Sequence, residues 1–172
     1  GNGQWSAMGS TANITGRLLA KNLTGVDAPY GGCLGTGVVK LTSELNAGRT
    51  GLTEEQAKAA GYDVITATCV TDDKAHYFSD ASTFMTKLIA DKETHKLLGI
   101  QILGAGAVDK MVDIAVTGIA MGAKVEDFDT LDFAYAPPFS TAIHPFVQAC
   151  YILENKMNGA YETMTPAQYA AT

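Results

Sequence analysis

Proline restrains this chain most tightly between residues 123 and 159. A residue that precedes proline is pushed out of the helical region, so Ala136-Pro137-Pro138 has to run extended, and Phe139-Ser140-Thr141-Ala142 reads as irregular with it. Pro145 has the opposite effect. Its missing N–H suits the first position of a helix, and Phe146, Ala149, Cys150, Leu153 and Met157 then follow at spacings that make one stripe, ended by Gly159. A rigid Tyr-Ala-Pro-Pro segment beside a buried helix is a platform that holds Tyr135 and His144 outward. The plainer alternative has Tyr135 packing on its own loop and His144 merely starting the helix.

The 172 residues are 47% hydrophobic, which is enough to fill the core of one domain. Twelve Lys and Arg against 18 Asp and Glu leave a formal charge of −6, and no basic cluster offers a face that would neutralise phosphates. Nucleic acid is therefore excluded as an expected partner. Cys33, Cys69 and Cys150 are odd in number, with neither a Cys-x-x-Cys pair nor zinc-type spacing. With no signal peptide and no apolar run of membrane-spanning length, the expectation is a cytoplasmic protein with reduced thiols, no membrane partner and no metal.

In chain order, a helix is expected from about Ser10 or Thr11, either of which can cap it, to Asn22. Residues 26–37 are Gly-rich and read as a connector, since no Gly-Lys-Ser/Thr follows to make a phosphate loop. Residues 38–46 read as one strand. Thr53-Glu54-Glu55-Gln56 has the capping-box pattern of a short helix over 54–60. A strand follows over 62–71, with Val64, Thr66, Thr68 and Val70 on one face and Ile65, Ala67 and Cys69 on the other. Residues 83–91 and 95–104 read as two strands of a hairpin turning at 91–94. Leu98, Ile100 and Ile102 are expected on one face of the second, with Leu97, Gln101 and Leu103 on the other.

Gly104-Ala105-Gly106 leads into a helix over 108–121. The third glycine of a dinucleotide fingerprint is missing and Asp109 would repel a pyrophosphate, so this reads as a tight strand-to-helix turn. Adjacent strands with helices grouped after them predict an α+β fold, a mainly antiparallel sheet packed against helices. Residues 163–172 show no core stripe.

At LLGIQILGAGAVDKMVDIAVTGIAMG, followed by VEDFDTLDFAYAPPFS, the chain resembles the C-terminal dimerisation domain of the FAD-dependent pyridine nucleotide-disulfide oxidoreductases, in the CoA-disulfide reductase and NADH oxidase branch. MGSTANITGR is similar to the last flavin-domain helix of that family, and YGGCLGTGVVKL with TGLTEEQAKAAGY to the start of its dimerisation domain. The resemblance divides the chain into a terminal helix of an absent flavin domain (1–25), a connector (26–37), the dimerisation domain (38–160) and a tail (161–172). It implies FAD and NAD(P)H in a longer parent. Neither cofactor is expected to bind tightly to this chain, which is not expected to be active alone. The implied partners are a second copy of the chain, the flavin and nicotinamide domains, and a CoA-type substrate.

By the same resemblance, Met8, Gly9 and Ser10 match the region whose helix N-terminus approaches the flavin. Tyr135 matches a tyrosine that lies near the partner subunit's active site, where it can donate a hydrogen bond to a substrate sulfur. His144-Pro145 is similar to the His-Pro of the glutathione-reductase branch, whose histidine is an acid–base group supplied across the dimer. Its orienting glutamate is missing here, where Gln148 and Ala149 stand. Two other readings differ in class. One is a free-standing enzyme with Cys69 or Cys150 as nucleophile and His144 as base; the other is a module that binds CoA or flavin.

Overall fold

A computed structural model of the chain describes residues 5–172. The chain divides into two compact units, one ending at Gly35 and the other beginning at Thr36.

Among its described residues the first unit carries one regular element, helix α1 (Gly9–Leu23). It starts earlier than expected: Met8 holds the N-cap position in an extended conformation without a side-chain cap, and Ser10 and Thr11 lie in the first turn. The Thr11 hydroxyl is bonded to that of Ser6 at 2.7 Å instead of to a backbone N–H. No residue of α1 is buried, and Ile14, Leu19 and Leu23 are all more than half exposed. Apolar residues normally stabilise a helix by burial against a neighbour.

The second unit is a five-stranded sheet in the order β1-β2-β5-β4-β3, with every pairing antiparallel. Its strands are β1 (Gly37–Lys40), β2 (Asn46–Gly51), β3 (Val64–Asp72), β4 (Thr83–Asp91) and β5 (Leu97–Gly104). The expected α+β class holds, and residues 38–46 correct one of its details: they are not one strand. The chain turns back after Lys40, and β2 continues through Asn46 to Gly51. Glycine hides β2 from propensity. A Cβ at Gly48 would lie 2.7 Å from Val112 and 2.8 Å from Val108, so glycine is what lets α3 (Val108–Met121) approach the strand.

Helices α3 and α4 (Pro145–Met157) lie on one face of the sheet, and between them and Phe84, Leu88, Ile100 and Ile102 sits the main core. Ile65, Ala67 and Cys69 face this core, as their alternation predicts. The opposite face is covered at one corner by α2 (Glu54–Ala59), whose capping box between Thr53 and Gln56 is complete. Ala57 of α2 packs there on Ile89 and Leu98. Leu98 is the second correction: Leu97, not Leu98, shares the core with Ile100 and Ile102. Ile89 pairs with Gly99 but Ala90 pairs with Leu97, so Leu98 is an extra residue that reverses the side-chain order behind it.

Beyond α2 the second face carries a row that crosses all five strands, Val39, Ala47, Leu103, Met85 and Val70 in register. Val39, Met85 and Val70 are each more than half exposed. A 3-10 turn at Val125–Phe128 follows α3, and Thr165 caps a short helix α5 (Pro166–Ala170) in the tail.

Candidate functional site

The proline segment folds as the sequence dictates. After Ala136-Pro137-Pro138 the backbone N–H groups of Phe139 and Ser140 both donate to the Ala136 carbonyl, at 2.8 and 3.2 Å, closing a tight turn. Tyr135 enters this turn 54% exposed and Phe139 projects from it 76% exposed. The segment behind is tied down by Gln148, whose Nε2 donates to the Ile143 carbonyl at 2.8 Å and to Thr141 Oγ1 at 3.0 Å. Gln148 therefore ties the loop to α4.

His144 is not held outward: it is only 6% exposed. Its ring lies 5.0 Å from that of Phe133, and its Nδ1 accepts the Phe146 N–H at 3.2 Å, which caps α4. This bond leaves the ring proton on Nε2. Burial, with the Lys110 ammonium adding to it, pulls the imidazole down to about 4 from its usual 6.5. A histidine so held is neutral at physiological pH. Tyr135, just before the turn, is thus exposed, while His144, beyond it, is buried.

Neither Cys69 nor Cys150 is activated. Cys150 is fully buried and its pKa is pushed far up by burial; Cys69 is raised to about 11 by the same cause. A nucleophilic cysteine needs the opposite shift, so the Cys/His enzyme reading finds no support. Among the described residues no group of His, Cys, Asp or Glu is arranged to hold a metal ion, and no helix is long and apolar enough to cross a membrane.

In the first unit, the N-terminus of α1 suits a negatively charged group. Met8 supplies no side-chain cap and the first turn carries no acid, so the first N–H groups and the helix dipole meet no competing charge. At Gly9 a Cβ would meet nothing within 4 Å. These features leave the start of α1, at Met8, Gly9 and Ser10, open to an anionic group.

No local pattern announces one further feature, a cleft of about 170 Å³ behind the proline turn. Its walls come from three distant segments, among them Asp73, Lys110, Ser140 and His144. Gly106, the last residue of the turn before α3, lies in one of these walls.

An antiparallel five-stranded sheet backed by two helices, with an exposed tyrosine-proline turn ahead of the last core helix, defines a dimerisation domain of the disulfide-reductase type. Residues 39–146 match the family model described as pyridine nucleotide-disulphide oxidoreductase, dimerisation domain, and the chain belongs to that family. It is 34% identical over 150 residues, 87% of its length, to the NAD(P)H sulfur oxidoreductase (CoA-dependent) of Pyrococcus furiosus, of which it covers 34%. To the NAD(P)H coenzyme A polysulfide/persulfide reductase of Pyrococcus horikoshii it is 32% identical over 87% of its length and 33% of that protein. The solved NAD-dependent persulfide reductase from A. fulgidus superposes with a TM-score of 0.89 at 34% identity, over 94% of this chain and 30% of that one. The chain thus spans about a third of the length of the relatives it matches.

Proposed function

We propose that this chain is the dimerisation part of a flavin-dependent NAD(P)H reductase that acts on a CoA-linked persulfide, polysulfide or disulfide. In this reading two copies associate about a two-fold axis, and each presents its Tyr135 turn to the redox centre of the other. The observation that carries it is the exposed Tyr135, held on a turn closed by Ala136 and backed by proline. A phenol in that position donates a hydrogen bond to a developing thiolate and stabilises the leaving sulfur. Flavin and nicotinamide supply the electrons when bound. The residues of this chain that would meet the flavin are Met8, Gly9 and Ser10, through backbone N–H groups at the start of α1. The chain alone is inactive, and redox chemistry belongs to the two-thirds of the parent that its relatives carry in addition.

His144 has a supporting part in this reading. Its Nδ1 is engaged and its pKa lies well below neutrality, so it anchors the base of the turn and the start of α4 instead of moving protons.

Mixed dimers of the full-length protein test the reading. One subunit carries Tyr135→Phe and the other is disabled in its own redox centre. If the tyrosine acts across the dimer, the mixture has one intact site per heterodimer and regains activity that neither homodimer shows. Activity equal to that of the two homodimers mixed after assembly would overturn the proposal, as would a full-length protein that sediments as a monomer at every concentration.

A further inference from the structure

We infer that the cleft behind the proline turn is a binding site for a hydrogen-phosphate group, built from Ser140, His144, Lys110, Asp73 and the N-terminus of α3. This goes beyond the dimer reading and stands without it.

Ser140 provides the first observation. It is 1% exposed and its Oγ, buried, has no hydrogen-bond partner among the described residues, although it lines a cleft with room for a ligand. An unsatisfied buried hydroxyl is destabilising until a ligand or a water bonds it. The cleft measures about 170 Å³, against about 30 Å³ for the share of one water in the liquid. It therefore holds either several waters or one tetrahedral ion.

The remaining groups are mostly donors. His144 lines the same cleft, and because its Nδ1 is occupied by the Phe146 N–H, its Nε2 is a donor. Helix α3 runs for 14 residues and starts at the cleft wall, where Ala107 at the N-cap provides no side-chain cap. The Val108 N–H is taken by the Gly106 carbonyl at 2.8 Å, and the N–H of Lys110, which lines the cleft, has no intrahelical acceptor by helix geometry. The Asp109 carboxylate does not oppose an anion there, since Asp109 lines the grooves on the other sides of α3 and not this cleft. Lys110 adds a positive charge with no carboxylate in salt-bridge range among the described residues, whereas Lys74 is already paired with Asp80 at 2.6 Å.

Asp73 selects the kind of oxyanion. It is 7% exposed, and its Oδ1 accepts the Ser82 N–H at 2.7 Å. Its Oδ2 lies against Gly106, where any Cβ would come within 2.7 Å of it. A buried carboxylate among donors repels a fully ionised anion but accepts a hydrogen bond from one that keeps an O–H. Hydrogen phosphate has that hydrogen at neutral pH; sulfate does not. Two sources share this chemistry, free inorganic phosphate and the phosphate end of a larger molecule.

The test titrates the chain with inorganic phosphate, methyl phosphate and sulfate at about pH 5.5, where a phosphate monoester with a second pKa of about 6 also keeps its O–H, at fixed ionic strength, following backbone amide shifts. Phosphate is expected to move the amides of Lys110 and Ser140 saturably, and sulfate to bind about tenfold or more weaker. Methyl phosphate binding as tightly as phosphate assigns the site to the end of a larger molecule; its exclusion assigns it to the free ion. Ser140→Ala should weaken phosphate about tenfold, and Asp73→Asn should abolish the preference over sulfate. The proposal is overturned if no saturable shift appears into roughly the tens of millimolar. Equal binding of sulfate and phosphate, or unchanged affinity in Ser140→Ala, overturns it as well.

Discussion

The imidazole of His144 accepts the backbone N–H of Phe146 on Nδ1 at 3.2 Å, so a titratable ring does the work of a helix cap. Its bond exists only while Nδ1 is unprotonated. The folded-state pKa of about 4 lies below the usual 6.5, so between these values the unfolded chain binds a proton that the native one refuses. Stability is therefore complete above pH 6.5 and is lost as the pH falls toward 4, by at most about 3 kcal/mol. His144→Asn keeps a capping side chain and removes the titration. Urea unfolding at pH 7 and pH 4.5 should show a smaller difference for this variant than for the parent. His144→Ala should cost about 1 kcal/mol at pH 7 from the cap alone.

Gly118 lies buried on α3 directly under Phe128, and a Cβ there would approach the ring Cζ to 2.4 Å. Alanine would gain the helix about 1 kcal/mol in propensity. Overpacking costs about 1–3 kcal/mol and wins, because Phe128 is itself 3% exposed and stacked on Phe146 at 4.9 Å. Gly118→Ala should lower Tm by about 2–6 °C. The expected rescue is Phe128→Leu in the same chain, measured by the interaction term of the double-mutant cycle.

Glu54 joins α2 to the sheet by accepting from Lys58 at 2.6 Å and from Lys87 of β4 at 2.7 Å. Those two ammonium groups hold its carboxyl at about 2, below the usual 4.5. A depressed acid stabilises above its unfolded pKa and loses that contribution as the pH falls through the folded one, here from 4.5 toward 2. With its side chain a quarter exposed, the pair of bridges is worth about 1 kcal/mol at most. Glu54→Gln should be destabilised by that amount at pH 7 in low salt and by nothing at pH 2, as read from thermal melts at the two pH values.

The antiparallel class, α2, α3 and α4 are legible in the residues because each rests on a local rule: period-two alternation, a capping box, a helical apolar stripe, proline at the first turn. What escapes is set by neighbours distant in sequence. Strand β2 goes unassigned beyond Asn46 because Gly48 answers to Val108 and Val112 of α3, sixty residues later. The start of α1 escapes because Ser6 takes the Thr11 hydroxyl that would otherwise cap it. At the candidate site, proline geometry alone announces an exposed Tyr135. The burial of His144 depends on Phe133 and Lys110, and the unpaired Ser140 on the segments at 73 and 106, so neither has a local signal.

Leu98 tests the register directly. Strict alternation would put it beside Ile100, whereas the shift at Ile89 and Ala90 sends it to the other face, against Ile89 and Ala57. Leu98 is 8% and Ile100 1% exposed, so truncation of either to alanine should cost about 2–5 kcal/mol, and single variants do not discriminate. Their couplings do. Residues that share a cluster are non-additive by about 0.5–3 kcal/mol, while separated ones add to within about 0.5 kcal/mol. Chemical denaturation of the Leu98→Ala and Ile89→Val pair should thus give a clear interaction term, and the Leu98→Ala and Ile100→Val pair one near zero. The reverse result would place Leu98 in the main core and remove the bulge that seats α2 on the sheet.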